Sequence, residues 1–444
     1  MVGSSSLANV STKQARIAEL ARQMPDKQLT VSHHMDIEWM LEAHRRTRKS
    51  GASGVDGMTA AQYEEDLASN LESLLNRAKR GESYRAPPVR RVYIPKGDGK
   101  SMRPLGIPTF EDKDLQRAVV MLLEPIYEQE FRDCSYGFRP GRSAHQALQR
   151  LWKGIMDMPG GGVVLELDIK SYFDKVDHGK LRELLRKRVS DGVVLRLIGK
   201  WLKAGVLEEG RVYRPDAGTP QGGVISPLLA NAYLHEVLDV WFEDVVMPRL
   251  HGRAFMVRYA DDAVLVFQRE DDAHRVEAVL GERFAKYGLT LHPDKTRLTR
   301  FKRPKSLDDE DGPGSFDFLG FTHHWGGSRR GNWVVVRKTS RKRLSRALRA
   351  IGAWLREHRH DPVGKQHAAL SAKLRGHYGY FGITGNARAL DSMRFFTMLR
   401  WRFWLNRRSS GNHVTWAAFD RMYRRLPLPL PRIAYSRHLR PANP

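Results

Sequence analysis

The apolar positions of the chain fall into stretches of different rhythm. Over the first 80 residues they recur at helical spacing, as Ile17, Leu20 and Ala21 and again as Ile37, Met40 and Leu41, with Arg and Lys between them. Gly51 to Gly57 breaks this pattern, and Leu67, Leu71, Leu74 and Leu75 predict a further amphipathic helix that Gly81 stops. From Val89 to Ile94 apolar residues alternate with Arg. Pro95-Lys96-Gly97-Asp98-Gly99-Lys100 then supplies turn chemistry, which predicts a hairpin with cations at its tip.

Strand patterns enter in the middle third. Val163, Leu165, Leu167 and Ile169 share one face of a strand, which leaves Glu166 and Asp168 on the other. Ala254 to Phe267 reads as two apolar strands flanking Tyr259-Ala260-Asp261-Asp262. Helical stretches at Leu181 to Val189 and Leu228 to Leu238 separate such strands, so the expected class is α+β with an antiparallel sheet. No repeat recurs at a fixed period. Pro304 to Ser315, with Asp308, Asp309, Glu310 and Asp311, reads as an exposed connector. Beyond it, Arg329 to Arg359 hold eleven Lys or Arg and one acid, Glu357, above an apolar stripe of Leu344, Leu348, Ile351 and Leu355. A solvated helix face usually mixes signs. One-signed Arg density beside Trp333, Trp354, Tyr378, Tyr380 and Phe381 points instead to phosphate and base contact. Leu426 to Pro444 reads as an extended, Pro-rich basic tail.

Composition narrows the partners. Among 444 residues, 75 Lys and Arg face 50 Asp and Glu, a formal charge of +25, while 41% hydrophobic residues suffice for a folded core. Solubility of a small domain needs a net charge of only about 2 to 8, so this excess points to a polyanion, most simply nucleic acid. The single cysteine, Cys134, excludes a disulfide framework and any Cys-rich zinc module within the chain. No apolar run reaches the roughly 18 residues a membrane helix needs, and the start shows no leader pattern. The expectation is an intracellular, soluble protein with no membrane partner.

A pattern of acids gives the charge a chemistry. Nucleotidyl transfer uses two divalent ions about 3.5 to 4 Å apart, and magnesium prefers hard oxygen ligands presented from rigid positions. Asp168 ends one apolar strand, and Asp261 with Asp262 sits in a turn between two others. If those strands pair, the acids converge and bound cations relieve their repulsion. Taken singly, each has a plainer reading: Asp168 as a helix cap, the Asp pair as turn formers. Glu166 reads as a structural or solvent partner.

The combination resembles a known family. Asp168-Ile169-Lys170-Ser171-Tyr172-Phe173-Asp174, then Gly218-Thr219-Pro220-Gln221-Gly222-Gly223-Val224-Ile225-Ser226-Pro227, then Tyr259-Ala260-Asp261-Asp262 resemble, in that order, the palm motifs of reverse transcriptases of the group II intron type. Arg103-Pro104-Leu105-Gly106-Ile107-Pro108, Tyr136-Gly137-Phe138-Arg139-Pro140-Gly141, Leu291-His292-Pro293-Asp294-Lys295-Thr296 and Phe316-Asp317-Phe318-Leu319-Gly320-Phe321 extend the likeness to about residues 50 to 325. The resemblance continues more weakly through Leu374 to Gly382 and Arg394 to Trp404.

It implies a right-hand polymerase: an N-terminal helical extension and the start of the fingers over 1–80, fingers and palm over 81–305, a helical thumb and maturase domain over 316–408, and a short basic DNA-binding tail over 409–444. Asp168, Asp261 and Asp262 would be the catalytic acids and hold two magnesium ions, for which manganese can stand in. Phe173 would lie under the incoming sugar and select deoxynucleotides; its plain alternative is core packing. Gln221 would touch the nucleotide, Lys96 and Arg103 its triphosphate, and Lys295 the leaving diphosphate, though a surface lysine is the alternative for the last. Gly222 and Gly223 would let backbone approach the template and primer, with a simple turn as their alternative. Arg341, Lys342, Arg346 and Arg349 would contact template-primer or intron RNA.

The implied function is an RNA-directed DNA polymerase that also binds its own group II intron RNA, assists splicing and supports retromobility. Its partners would be an RNA template, a DNA primer or target, and deoxynucleoside triphosphates, with a homodimer left open. The resemblance also implies the bacterial cytoplasm or nucleoid. Some relatives carry a zinc endonuclease after the tail, which this chain is expected to lack. Three other readings stand beside this one. They are a domesticated relative in phage defence, CRISPR-linked immunity or DNA repair; a non-catalytic RNA-binding splicing factor; and an RNA-dependent RNA polymerase. The intact acids disfavour the second of these and Phe173 the third.

Overall fold

The N-terminal quarter folds as its periodicity predicts in the computed structural model, which describes residues 2–80, 83–95, 101–213, 218, 222–305, 314–328, 330–409 and 413–435. Its helices are α1 (Val2–Gln23), α2 (Ile37–Arg46), α3 (Ala60–Glu64) and α4 (Leu67–Lys79). Polar side chains set their ends. Asp36 accepts from the Trp39 amide at the start of α2 (3.0 Å), and Thr59 with Gln62 forms a capping box on α3. The carbonyls that end α1 are gathered by one guanidinium, Arg188, which donates to Ala21 O (3.0 Å), Met24 O (2.8 Å) and Lys27 O (2.6 Å). The alternation from Val89 becomes β1 (Val89–Pro95), paired antiparallel with β2 (Met102–Ile107) from Arg90↔Ile107 to Pro95↔Met102. The tip of this hairpin, with Lys96, lies outside the described residues.

The middle of the chain alternates helices and strands. In order these are α5 (Phe110–Glu130), α6 (Ala144–Met156), β3 (Gly161–Leu167), α7 (Tyr172–Lys175), α8 (His178–Arg186), α9 (Gly192–Lys203), β4 (Val206–Glu208), β5 (Arg211–Tyr213), α10 (Ser226–Leu234), β6 (Ala254–Tyr259), β7 (Asp262–Phe267), α11 (Glu270–Ala285) and β8 (Arg297–Lys302). One sheet runs β2-β1-β4-β5 and includes a parallel pair, β1 with β4; another runs β6-β7-β3-β8. β3 is buried along nearly its whole length, on both faces. A strand in the interior of a sheet, covered above and below, shows no polar face.

The chain divides into two units, Met1–Ala147 with Leu165–Leu298 and Leu148–Val164 with Thr299–Pro444. In the second, β9 (Phe316–Phe318), β10 (Phe321–Gly327) and β11 (Trp333–Thr339) form an antiparallel sheet before α12 (Arg341–Glu357), α13 (Val363–Phe381), α14 (Ala387–Leu405) and α15 (Trp416–Arg425). The helices thus begin only at Arg341, after strands at residues 316–339. Leu348, Ile351 and Leu355 of the predicted stripe are buried with Leu370, Leu374, Leu390, Trp401 and Phe419. Trp401 fixes the register by donating its indole N–H to Gln366 Oε1 (2.8 Å). The acidic residues 308–311 and the tail beyond 435 lie outside the described residues. Among the described residues no helix is long and apolar enough to cross a membrane.

Candidate active site

Asp168 follows directly on β3. Its backbone is held on the outgoing side: His292 N donates to Asp168 O (2.8 Å), Lys170 N donates to Thr290 O (2.9 Å), and Ile169 bridges Leu291 antiparallel. The side chain is about one-third exposed, and Lys295 Nζ stands 3.0 Å from its Oδ2. Glu166, two residues earlier, pairs with Arg297.

The second pair of acids comes from a hairpin. β6 and β7 pair from Ala254↔Phe267 to Tyr259↔Asp262, which leaves Ala260 and Asp261 as a two-residue turn. Because β7 lies beside β3 in the sheet, the turn is brought toward Asp168. Burial and the negative charge of Asp168 raise the Asp261 carboxyl above the ordinary range; Arg103 and Arg258 lower it. Arg103, exposed on β2 opposite Ile94, is therefore near enough to act on the same acid. Asp262 is exposed at the first position of β7.

The turn is strained, with Ala260 at φ +58°, a conformation that costs a residue with a Cβ on the order of 1 to 3 kcal/mol. A buried polar network holds it. Arg258, wholly inaccessible to solvent, donates to Ala260 O (2.9 Å), to Asn231 Oδ1 (3.0 Å) and through Nε to Asp239 Oδ1 (2.7 Å). Asn231 donates onward to Gly137 O (2.7 Å). Gly137 lies so close to the turn that a Cβ there would sit 2.3 Å from Ala260 N. Asp239 reaches Arg258 from a π-helical turn, His235–Asp239, that continues α10; the extra residue per turn changes which side chains face inward.

Phe173 is half-buried with its ring edge-on to Tyr172 (5.3 Å), whose hydroxyl donates to Ala230 O (2.7 Å). Gly222 has φ +113°, and a Cβ on it would lie 2.6 Å from Gly106 O, so this loop packs directly on β2. Gly223 is buried, its carbonyl accepting from Ser226 N at the head of α10 (3.3 Å). Gln221, like Lys96, lies outside the described residues. Arg341, Lys342 and Arg349 are exposed on α12, and Arg346 is partly buried there, all in the second unit. Arg258, Asp239, Asn231 and Gly137 were not among the residues the sequence singled out as functional. The available signal was a lone Arg in an otherwise apolar strand. A further cluster, His251, Asp271 and Asp272, is explained by the loop it closes, because Asp272 accepts from the His251 (3.0 Å) and Gly252 (2.8 Å) amides.

A family profile described as reverse transcriptase (RNA-dependent DNA polymerase) matches residues 94–323, more than half of the chain and all of the elements that carry these acids. The chain belongs to the reverse transcriptase family. Protein YkfC of Escherichia coli (strain K12) is 39% identical to this reverse transcriptase over 297 residues, which cover 59% of the chain and 76% of that protein. Group II intron-encoded protein LtrA of Lactococcus lactis subsp. cremoris is 46% identical over 266 residues, 59% of the chain but only 43% of LtrA. Nuclear intron maturase 2, mitochondrial, of Arabidopsis thaliana is 32% identical over 175 residues, 31% of the chain and 24% of that protein. This reverse transcriptase is thus related to intron-encoded proteins and maturases, and it spans less than half of LtrA.

Proposed function

We propose that the chain copies RNA into DNA at the acids of β3 and the β6–β7 turn, and that it binds a group II intron RNA, assists its splicing and supports its mobility. The observation that carries the polymerase reading is the convergence of Asp168 and Asp261, two acids from separate strands close enough for one charge to raise the other's pKa. A cation, Lys295, already sits against Asp168. That donor set, hard carboxylate oxygens in mutual repulsion, fits two magnesium ions held by Asp168 and Asp261 with Asp262 beside them. When bound, such ions sharpen a primer hydroxyl and neutralise the departing diphosphate.

The remaining roles belong to protein side chains. Arg103 offers a planar fork to the triphosphate from the strand that Gly222 packs against. Lys295, paired with Asp168 when no substrate is bound, meets the leaving diphosphate in this reading, which its 3.0 Å contact with Asp168 supports. Phe173 closes the floor of the sugar site, and Gln221 and Lys96 complete the nucleotide contacts. The basic helix α12, with Arg341, Lys342, Arg346 and Arg349, takes phosphates of duplex or intron RNA.

The relatives support the intron partnership, since LtrA and the Arabidopsis protein are described as intron-encoded protein and intron maturase. The test is to purify the protein from its own cells and sequence the RNA that comes with it. One structured RNA that contains the coding sequence of this chain is expected. A dispersed set of cellular RNAs would overturn the intron partnership while leaving the polymerase reading to its own assay.

A further inference from the structure

Helices α8 and α9 carry a pattern of charge apart from the acidic turn, only part of which is tied to the fold. Arg182 and Arg186 are one turn apart on α8, and Arg196, Lys200 and Lys203 recur at spacings of four and three on α9, so each helix presents a row of like charges. Like charges at this spacing oppose helix formation, yet both rows face one open cleft of about 1070 Å³. Arg85, from the segment between α4 and β1, lines the same cleft.

No carboxylate lines it among the described residues. Among the described residues, Arg196 Nε is buried in the wall without a hydrogen-bond partner, and the other end of the guanidinium makes a long contact to Lys79 O (3.5 Å). The floor is rigid: Trp201 donates to the Tyr84 hydroxyl (2.8 Å), which donates to buried Asp112, and Lys200 Nζ donates to Tyr84 O (2.5 Å). Asp191 fixes the mouth, accepting from the Val31 amide (2.8 Å) with one oxygen and from the Val193 and Val194 amides at the head of α9 (3.0 and 3.1 Å) with the other. The cleft shares no lining residue with the acidic turn.

We infer that this cleft is a second polyanion site, one that takes the phosphate backbone of a folded RNA. Its chemistry is phosphate recognition without base reading, because Arg85, Arg182, Arg186 and Lys203 line the open cleft together and the one lining aromatic, Tyr84, is buried in the floor. The row from Arg196 to Lys203 extends about 10 Å along α9, longer than a single phosphate and suited to several in succession. That length favours a nucleic-acid strand over a free nucleotide. The inference rests on the proposed RNA partnership and adds a location to it: the RNA is held at α8 and α9 while the acids act on template and primer.

The test uses the full chain carrying Arg182→Gln, Arg186→Gln and Lys203→Gln together, none of them in the polymerase machinery. Binding of an unprimed RNA hairpin is followed across a salt series, beside extension of a short preformed template-primer. The hairpin affinity is expected to fall at least about tenfold, and the salt slope to shrink by about 2 to 3, roughly one for each lost phosphate contact. Extension should be unchanged, and Asp261→Ala should bind the hairpin like the parent, which separates failure of this site from failure of the polymerase reading. Should the triple variant not fold, Lys203→Gln alone is expected to lower the slope by about 1, with Lys203→Arg restoring it. Unchanged hairpin affinity and slope would overturn the proposal. So would a parallel loss of extension, which would assign the cleft to the template path, or displacement of the hairpin by tripolyphosphate at equal phosphate concentration, which would mark a small-anion site.

Discussion

Arg258 is the residue on which the placement of the acids turns. Its guanidinium neutralises Asp239 where neither side chain is accessible to solvent, and it ties down the carbonyl of the strained Ala260. Removing one partner of such a pair leaves a buried charge and costs about 3 to 5 kcal/mol, whereas replacing both by apolar residues is often neutral. Arg258→Met is therefore expected to lower stability by that amount. Arg258→Met with Asp239→Leu should recover most of it while kcat for primer extension stays at least about tenfold down, since no group then holds Ala260 O. Denaturant melts and extension rates on the three proteins check this; a double variant that regains both stability and rate would assign Arg258 to the fold alone. Phe173 is a second residue-scale case. If its half-buried ring floors the sugar site, Phe173→Ala should weaken the preference for deoxynucleotides over ribonucleotides by about tenfold, measured as the ratio of kcat/KM values. An unchanged ratio would return Phe173 to core packing.

Among the elements, the acidic hairpin was legible because Tyr259-Ala260-Asp261-Asp262 interrupts two apolar runs, and the structure pairs those runs with a two-residue turn. Its support was not legible. Arg258 stands alone between Val257 and Tyr259 in an apolar strand, where a single cation reads as a solvent-facing position. Only the partner from the π-helical turn, nineteen residues earlier in the chain, makes it an interior one. The strands at 321–339 had a signal that the count of cations hid: Trp333-Val334-Val335-Val336 is a β-branched run of the kind that favours strands. Within that sheet His323 is fully buried and stacked on Phe316 (4.7 Å), with no hydrogen-bond partner for either ring nitrogen among the described residues. Burial, and then the charge of Arg337, lower its pKa to about 3. The folded pKa lies below the unfolded value near 6.5, so the unfolded chain binds the extra proton between those limits. Stability from this group is complete above about pH 6.5 and declines as the pH falls toward 3, by about 1.4 kcal/mol per unit. Between pH 7 and 5, wild type should lose about 2 kcal/mol more than His323→Phe in chemical denaturation. Equal losses would contradict the buried neutral imidazole.

For the whole molecule, the net charge of +25 is large enough to attract a polyanion. Cations line the α8–α9 cleft and stud α12, while Asp168 and Asp261 lie near enough for the charge of one to act on the other. Phosphate contacts of this kind make binding steeply dependent on salt and weakly dependent on sequence. The affinity for an RNA–DNA duplex should fall by about three orders of magnitude or more between low and moderate salt if six or more phosphates are contacted. A shallow slope would mean that the basic surface is not the binding surface. All of this rests on the acids at the end of β3 and in the β6–β7 turn, and one comparison tests them directly. Primer extension on an RNA template with deoxynucleotides and magnesium is measured for wild type and for the isosteric Asp261→Asn. Wild type should extend the primer, and the variant should be slower by about a thousandfold or more with template-primer affinity retained. No extension by wild type, or a variant within a few-fold of it, would contradict the account.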